Sequence, residues 1–237
     1  MSALPRSTST RAAAPVLSIH GLPGLRAGAR LDVAPGEQVL LVLPSRALRA
    51  TLMARLGPAD KVARNDERGQ ATFMGEELSG SRWLPRPGRA PSIAFVPADG
   101  GLLANMNAWE NIWAPVTYHA PAAGRELPWL VEGAFRELGL DASVAGKRPG
   151  ELDLLTRRLV SLVRAVAMAP ELIWVDSPFD ELDEAELPRA ARMFKLVERH
   201  LPFRSLVCAC GAVPAAVEGR LGHARIAALE LEAGVVK

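Results

Sequence analysis

One run of residues, Gln38–Leu43, constrains the fold of this chain more than any other feature of its sequence. Five of its six residues are aliphatic, and the turn-forming segment Ala34-Pro-Gly-Glu37 precedes it. A strand with apolar residues on both faces is typical of a parallel sheet that helices cover on both sides. The run therefore predicts a buried strand of an α/β protein.

Strand and helix patterns alternate along the rest of the chain, which favours the α/β class. The clearest helix carries Leu155, Leu159, Leu162 and Val166 at the spacing of a core-facing stripe. The middle of the chain, about 97–160, is helical only, so we expect a helical lobe inserted between two α/β parts. The predicted strands are 15–19, 29–33, 38–43, 71–74, 92–96, 172–175 and 205–210, and the predicted helices are 46–56, 107–113, 127–138, 154–168 and 184–199.

Composition and charge argue against several classes of protein. The 237 residues carry 28 basic and 26 acidic side chains, and the net charge of +2 is too small to indicate nucleic-acid binding. No apolar run reaches the roughly 18 residues of a membrane span. Residues 1–14 lack the apolar segment of a secretory signal, so we expect a disordered N-terminus there.

The cysteines and histidines do not form a disulfide or metal-ligand pattern. Cys208 and Cys210 lie two apart in a predicted strand, which separates their Cα atoms by about 6.5–7 Å, at or beyond the limit for a disulfide. The four histidines show no metal-ligand spacing with each other or with the cysteines. We therefore expect that the protein has no metal site and that it resides in a reducing cytoplasm.

A family resemblance rests on the stretch Arg148–Asp183, which reads RPGELDLLTRRLVSLVRAVAMAPELIWVDSPFDELD. This stretch resembles the ATP-binding cassette (ABC) ATPases, in which a Leu-Ser-Gly-Gly-Gln signature opens a helix ending in Ala-Arg-Ala-Leu, and a buried strand with Asp-Glu-Pro-Phe-x-x-Leu-Asp follows. Two further segments fall in the order of the family: Ala34–Ser45 is similar to the approach to the Walker A loop, and Ile93–Asn111 to the Q-loop region.

The resemblance implies an α/β fold with a P-loop NTPase-like (RecA-like) core and an inserted α-helical subdomain. It implies one cassette domain over 15–237. Within it the core covers about 15–96 and 165–237, and the helical subdomain covers about 97–164.

The resemblance places the nucleotide site on residues that depart from the family's pattern. The loop G-x-x-x-x-G-K-[ST] needs glycines for close backbone approach, a lysine for the phosphates and a hydroxyl for Mg²⁺. In the aligned residues 43–50 both glycines are leucine, Arg49 stands at the lysine position and Ala50 at the hydroxyl position. The predicted degenerate nucleotide site comprises Leu43, Ser45, Leu48, Arg49, Ala50, Thr51, Ala98 and Asp176.

The positions that carry out hydrolysis in the family are also changed. Ala98 replaces the Q-loop glutamine, Ser177 the general base and Gly211 the switch histidine. The Walker B carboxylate Asp176 and the D-loop Asp183 are kept. The resemblance therefore implies no catalytic residues in this chain.

The signature segment has become Leu152, Asp153, Leu154, Leu155 and Thr156. In the family, its serine hydroxyl and glycine amides bind the γ-phosphate across a dimer, and Asp153 would set a negative charge against that phosphate. From the residue types alone, Asp153 is a natural helix N-cap, and Arg49 is a solvated helix residue.

One block, Gly100–Trp113, keeps the family pattern where the catalytic positions have lost it. In ABC transporters the corresponding surface receives the coupling helix of the permease, so we predict permease docking by Gly100, Gly101, Leu102, Leu103, Trp109, Glu110 and Trp113. Tryptophans are more often core than ligand-binding residues, which is the expectation for Trp129. The amino-acid sequence of the block is also similar to that of the lipid-import (mammalian-cell-entry type) branch of the family.

Two functions follow from the resemblance. The nucleotide-site residues favour a non-hydrolysing (pseudo-ATPase) structural or regulatory subunit without cofactors. The alternative is a divergent but active ATPase that binds ATP and Mg²⁺. Either would be peripheral on the cytoplasmic face of the inner membrane, with a permease as partner and either an intact cassette or a second copy of this chain as dimer partner.

Overall fold

A computed structural model of the chain describes residues 14–21, 24–56, 70–78 and 93–232. Residues 1–13, which the sequence predicts to be disordered, lie outside the described residues. The strands are β1 (Leu17–His20), β2 (Arg30–Val33), β3 (Gln38–Val42), β4 (Gln70–Phe73), β5 (Glu76–Glu77), β6 (Ile93–Val96), β7 (Leu172–Asp176), β8 (Ser205–Cys210) and β9 (Arg225–Ala228). The α-helices are α1 (Arg46–Leu56), α2 (Ala108–His119), α3 (Leu127–Leu138), α4 (Leu154–Ala167), α5 (Leu187–Ala190), α6 (Arg192–His200) and α7 (Ala215–Glu218). Short 3₁₀ helices cover Pro121–Arg125, Ala142–Gly146 and Pro149–Glu151.

The strands form two sheets. The larger is a parallel sheet with strand order β6-β7-β8-β3-β9, and the smaller is an antiparallel sheet with order β2-β1-β4-β5. Strand β3 pairs in parallel with β8 on one side and β9 on the other. This position confirms the buried parallel strand that the apolar run at 38–43 predicts.

Alternation along β3 distributes its side chains to two apolar clusters. Leu40 packs into the cluster formed by the helical lobe, α6 and one face of the parallel sheet. Val39 and Leu41 point to the other face, where the second cluster includes Leu17 of the antiparallel sheet and Leu52 of α1. All these side chains are fully or almost fully buried, because a central parallel strand has helices or a second sheet on both sides.

Most predicted elements agree with the structure to within two residues, and two helices differ. The helix predicted at 107–113 continues to His119, through Pro115. Its buried Ile112 and Val116 pack into the core and hold it together past the proline. The helix predicted at 184–199 is instead the two helices α5 and α6, and Pro188 lies in the first turn of α5. The sequence patterns did not predict the short strand β5, the strand β9 or the helix α7.

The helical lobe contributes much of the first cluster through α4. Leu155, Leu159, Leu162 and Val166 are all buried, as their spacing predicts. Asp153 caps the helix, since its carboxylate accepts a hydrogen bond of 2.6 Å from the amide of Thr156. Within the described residues no helix is both long enough and apolar enough to cross a bilayer.

Two glycines let the chain after β6 lie directly against α4. Gly100 has a φ of +90°, and a Cβ there would lie 2.9 Å from the carbonyl carbon and oxygen of Arg157. Gly101 has a φ of +54°, and a Cβ there would lie 2.8 Å from a ring carbon of Pro97. A side chain at 100 would therefore push the segment away from α4, and a side chain at 101 would clash with Pro97 of the same segment.

We expect Gly100→Ala to lower the free energy of unfolding by about 2 kcal/mol or more, because it combines left-handed backbone strain with overpacking. The matched control is Gly133→Ala in the interior of α3, where a Cβ meets no described atom within 4 Å. The control should be neutral or stabilising by up to about 1 kcal/mol. Urea unfolding of both variants tests this, and equal effects would contradict the packing argument.

Candidate functional site

Five of the eight residues aligned with the phosphate-binding loop, 46–50, lie in a helix. Leu43, Pro44 and Ser45 alone separate β3 from α1, which begins at Arg46. The amide of Leu43 donates to the Cys210 carbonyl at 2.8 Å, and the amide of Arg49 donates to the Ser45 carbonyl at 3.1 Å within the first turn. These two amides are therefore committed to the protein's own carbonyls. These two amides are therefore not free to bind an anion, as the amides of a phosphate-binding loop do.

Arg49, at the family's lysine position, is folded back into the protein. The residue is 2% exposed. Its Nη1 donates to the Leu43 carbonyl at 2.7 Å and the Pro44 carbonyl at 3.2 Å, and its Nη2 donates to Oδ2 of Asp180 at 2.7 Å. The expectation that Arg49 is a solvated helix residue is therefore wrong. Its long side chain reaches from α1 to the carboxyl end of β3, where carbonyls and a carboxylate meet.

The retained Walker B carboxylate lies beside this guanidinium. Asp176 is buried at the end of β7, and its Oδ1 is 3.9 Å from Nε of Arg49, which has no hydrogen-bond partner among the described residues. Burial raises the pKa of Asp176 above its usual value, while the Ser177 hydroxyl, which donates to Oδ1 at 3.1 Å, and Arg49 act in the opposite direction. Two aspartates thus share one buried arginine.

The base and switch positions are held by small residues packed in this cluster. Ser177 is 2% exposed, has a φ of +51°, and its amide donates to the Ala209 carbonyl at 2.8 Å. Gly211 follows β8, and a Cβ there would lie 3.3 Å from Nη1 of Arg49. A side chain at 211 would therefore require the Arg49 guanidinium to shift by a few tenths of an ångström.

The remaining predicted nucleotide residues have local structural roles. Ser45 is buried, and its hydroxyl accepts from the Leu48 amide at 3.4 Å at the start of α1. The Leu48 side chain packs against Gly24. Ala50 and Thr51 are exposed, and the Thr51 hydroxyl donates to the Ala47 carbonyl at 2.9 Å within the helix.

A second buried arginine, Arg158 of α4, connects the Q-loop position to the same cluster. It is 2% exposed; its Nε donates to the Ala98 carbonyl at 2.5 Å and its Nη1 to the Asp180 carbonyl at 2.7 Å. Burial lowers the pKa of Arg158, although Asp180, Glu181 and Asp176 act to raise it. The sequence analysis missed this residue. The available signal is its position, three residues after Leu155 on the apolar stripe of α4.

The signature positions also serve the fold. Leu152, Leu155 and Thr156 are buried, and Leu154 is half-buried. Asp153 is the helix cap described above, which confirms the interpretation from residue type. Nη2 of Arg189 donates to the Thr156 hydroxyl at 3.3 Å and lies 3.9 Å from Oδ1 of Asp153. Leucine at 155 therefore belongs to the core.

The predicted docking residues divide into an exposed group and a supporting group. Leu103 is 56% exposed and Trp113 is 46% exposed. Leu102 and Trp109 are half-buried against the core. Glu110, although exposed, forms a capping box with Asn107: its Oε2 accepts from the Asn107 amide at 2.8 Å.

One buried amide that the sequence analysis did not single out holds the docking segment in shape. Asn111 is 2% exposed. Its Oδ1 accepts from the Leu103 amide at 2.7 Å, and its Nδ2 donates to the carbonyls of Leu103, Met106 and Asn107 at 3.0–3.1 Å.

The expectation that Trp129 is a core residue is wrong, since it is 76% exposed on α3.

Cys208 and Cys210 are both free and buried. Burial and the neighbouring Asp180 raise the pKa of the Cys210 thiol to about 12, against the effect of Arg49. Within the part of the chain that the structure describes, no group of three or more His, Cys, Asp or Glu side chains is placed to hold a metal ion.

Comparison with known proteins identifies the family. The lipoprotein-releasing system ATP-binding protein LolD of Ruegeria pomeroyi is 30% identical over 196 residues, which cover 77% of this chain and 83% of that protein. The Fe(3+) ions import ATP-binding protein FbpC 2 of Rhodococcus jostii is 31% identical over 66% of this chain but only 42% of its own length. The chain belongs to the family of ABC transporter ATP-binding proteins. No protein-family model matches it.

Solved structures with the same fold are ABC cassettes. The cassette MJ0796, solved as a post-hydrolysis dimer bound to ADP and Pi, superposes with a TM-score of 0.67 over 90% of this chain and 94% of its own, at 18% identity. CbiO1 from Clostridium perfringens has a TM-score of 0.63 over 92% of this chain and 85% of its own, at 16% identity. The α/β fold of this chain is therefore the P-loop NTPase fold of an ABC cassette.

The two aspartates at Arg49 should differ in their effect on stability. We expect Asp180→Asn to lower the free energy of unfolding by about 2 kcal/mol at neutral pH, because it removes the charged partner of a buried guanidinium. Asp176→Asn should cost less than about 1 kcal/mol, because burial already opposes the ionised form and the amide oxygen still accepts from Ser177.

The pH dependence gives a second measurement. Because the folded pKa of Asp176 is raised, the folded state binds more protons than the unfolded state between pH 3.8 and that raised value. The contribution of Asp176 to stability therefore falls as pH rises through this window. As pH is lowered from about 6 to about 4, urea unfolding should show the free energy of unfolding of wild type rising relative to that of Asp176→Asn. A difference that is independent of pH would contradict this argument.

Proposed function

We propose that this chain is a non-hydrolysing ABC cassette subunit, which associates with a permease or with an active cassette and does not turn over ATP itself. The observation that carries the proposal is the arrangement of Arg49. Its guanidinium, at the position of the phosphate-binding lysine, is bonded to the Leu43 and Pro44 carbonyls and to Asp180. A phosphate would have to displace these bonds before Arg49 could bind it.

The free energy of the lost phosphate and metal contacts is large enough to abolish nucleotide binding and not merely to weaken it. Both loop glycines, the lysine and the magnesium hydroxyl are replaced. Each charge-assisted hydrogen bond is worth roughly 1.5–3 kcal/mol, so the four altered groups together, with partly additive contributions, lose on the order of 6–10 kcal/mol. A micromolar affinity for ATP corresponds to only about −8 kcal/mol.

The residues of hydrolysis support the same proposal. Ser177 at the general-base position is buried, and its hydroxyl donates to Asp176. Loss of a general base lowers a rate by roughly 10²–10⁴-fold. The alternative, an active ATPase, draws on the relatives, whose names are those of ATP-binding proteins. Titration with ATP separates the two.

We expect no binding of ATP·Mg²⁺ with a Kd below about 1 mM, equivalent to roughly −4 kcal/mol, in calorimetry of the purified chain. An ABC cassette with an intact Walker A loop, titrated in the same buffer, is the positive control. A Kd tighter than this limit would overturn the proposal and favour the active ATPase.

The partner side of the proposal rests on the exposed apolar residues of the segment 100–113. Leu103 and Trp113 expose apolar surface in the described part of the chain, on a segment held by hydrogen bonds from Asn111. Such a surface suits an apolar helix of a permease, which would place the chain on the cytoplasmic face of the inner membrane. Dimeric cassettes among the solved structures support a second cassette as a further partner.

The cargo of that permease is part of the same proposal. The resemblance of the segment 100–113 to the lipid-import branch makes a lipid-moving permease the first partner to look for. One relative is named for lipoprotein release and another for iron import.

We expect Leu103→Asp with Trp113→Asp to reduce recovery of the permease at least about tenfold in pull-downs from native membranes, because two charges would enter an apolar contact. The matched control is Trp129→Asp, which changes an exposed tryptophan of the same lobe outside the segment. Circular dichroism should be unchanged for both. Full recovery by the double variant, or equal loss with the control, would contradict this docking surface.

A further inference from the structure

Arg49 and Arg158 bind the same residue, Asp180, through two different groups. Arg49 holds the carboxylate of Asp180 at 2.7 Å, and Arg158 holds the main-chain carbonyl of Asp180 at 2.7 Å. The two arginines come from different parts of the fold, one from α1 of the core and one from α4 of the helical lobe. We call Arg49, Asp180 and Arg158 the arginine bridge.

The bridge joins the ends of strands that lie far apart in sequence. At one end Arg49 is bonded to the Leu43 and Pro44 carbonyls after β3. At the other, Arg158 is bonded to the Ala98 carbonyl after β6. Asp180, which follows β7, is the shared middle. One hydrogen-bonded path therefore connects the ends of three parallel strands.

Burial makes this path cooperative. Both arginines are 2% exposed, and a buried charge is tolerated only while its partners are in place. The two positive charges are matched by the carboxylates of Asp180 and of Asp176, which lies 3.9 Å from Arg49. Loss of one arginine should therefore weaken the contacts of the other through Asp180.

We infer that the arginine bridge fixes the segment 97–101 relative to the ends of β3 and β7 without any ligand. The segment is also held from the α4 side, where Nη1 of Arg164 donates to the Gly101 carbonyl at 3.0 Å. Since it leads directly into Leu103 and the exposed docking residues, the bridge sets the position of that surface permanently. This inference rests on the proposed function, in which no nucleotide performs that task.

The test is amide hydrogen exchange on the full chain. In Arg49→Gln, exchange of the amides 98–101 should rise at least about tenfold, although no residue that contacts them is changed. Arg158→Gln should do the same, and the double variant should add little to either single one. The matched control is Arg46→Gln, which removes an exposed ion pair with Glu181 from the same helix and should leave 98–101 unchanged.

A milder variant covers the case in which Arg49→Gln fails to fold. Asp180→Asn keeps the carbonyl that Arg158 binds, so raised exchange at 98–101 in this variant reports coupling through the bridge. Unchanged exchange at 98–101 in the folded variants would overturn the bridge and leave the proposed function standing. In contrast, a change in wild-type exchange on adding ATP·Mg²⁺ would overturn the proposed function.

Discussion

The buried guanidinium of Arg49 is the interaction on which the rest of the site depends. It satisfies two carbonyls at the end of β3, holds Asp180, and lies beside Asp176 at the end of β7. A charge with about 2% exposure is stable only because each of these partners is in place. The ends of β3 and β7 and the residue Asp180 are thus organised around one side chain.

Several positions that carry chemistry in the family carry structure here. Asp153 caps α4, Leu155 fills the core beneath it, and the Thr51 hydroxyl bonds within its own helix. Each role is local and ordinary for its residue type. These side chains therefore contribute to the packing and capping of the cassette fold at positions that the family uses for nucleotide.

The sequence predicts the elements with strong local patterns, and it does so for physical reasons. The apolar run of β3 and the apolar stripe of α4 are visible within a few residues, and the structure has both. The edge strand β9 has three exposed residues of its four and shows no such pattern. Arg49 could not be placed, because its partner Asp180 is 131 residues away. Arg158 likewise meets Ala98 across 60 residues.

The close approach of Gly211 to Arg49 has a consequence for how this chain could change over evolutionary time. A Cβ at 211 would lie 3.3 Å from Nη1 of Arg49, so the guanidinium would have to shift by a few tenths of an ångström to admit a side chain there. A lysine at 49 has one nitrogen and could not reproduce the hydrogen bonds that the two guanidinium nitrogens of Arg49 donate to Leu43, Pro44 and Asp180. Restoring the family's histidine at 211 would therefore disturb Arg49, and restoring its lysine at 49 would remove the contacts that Arg49 makes. The packing around Arg49 thus couples the two positions, so that neither residue of the family can be restored alone without a cost in stability.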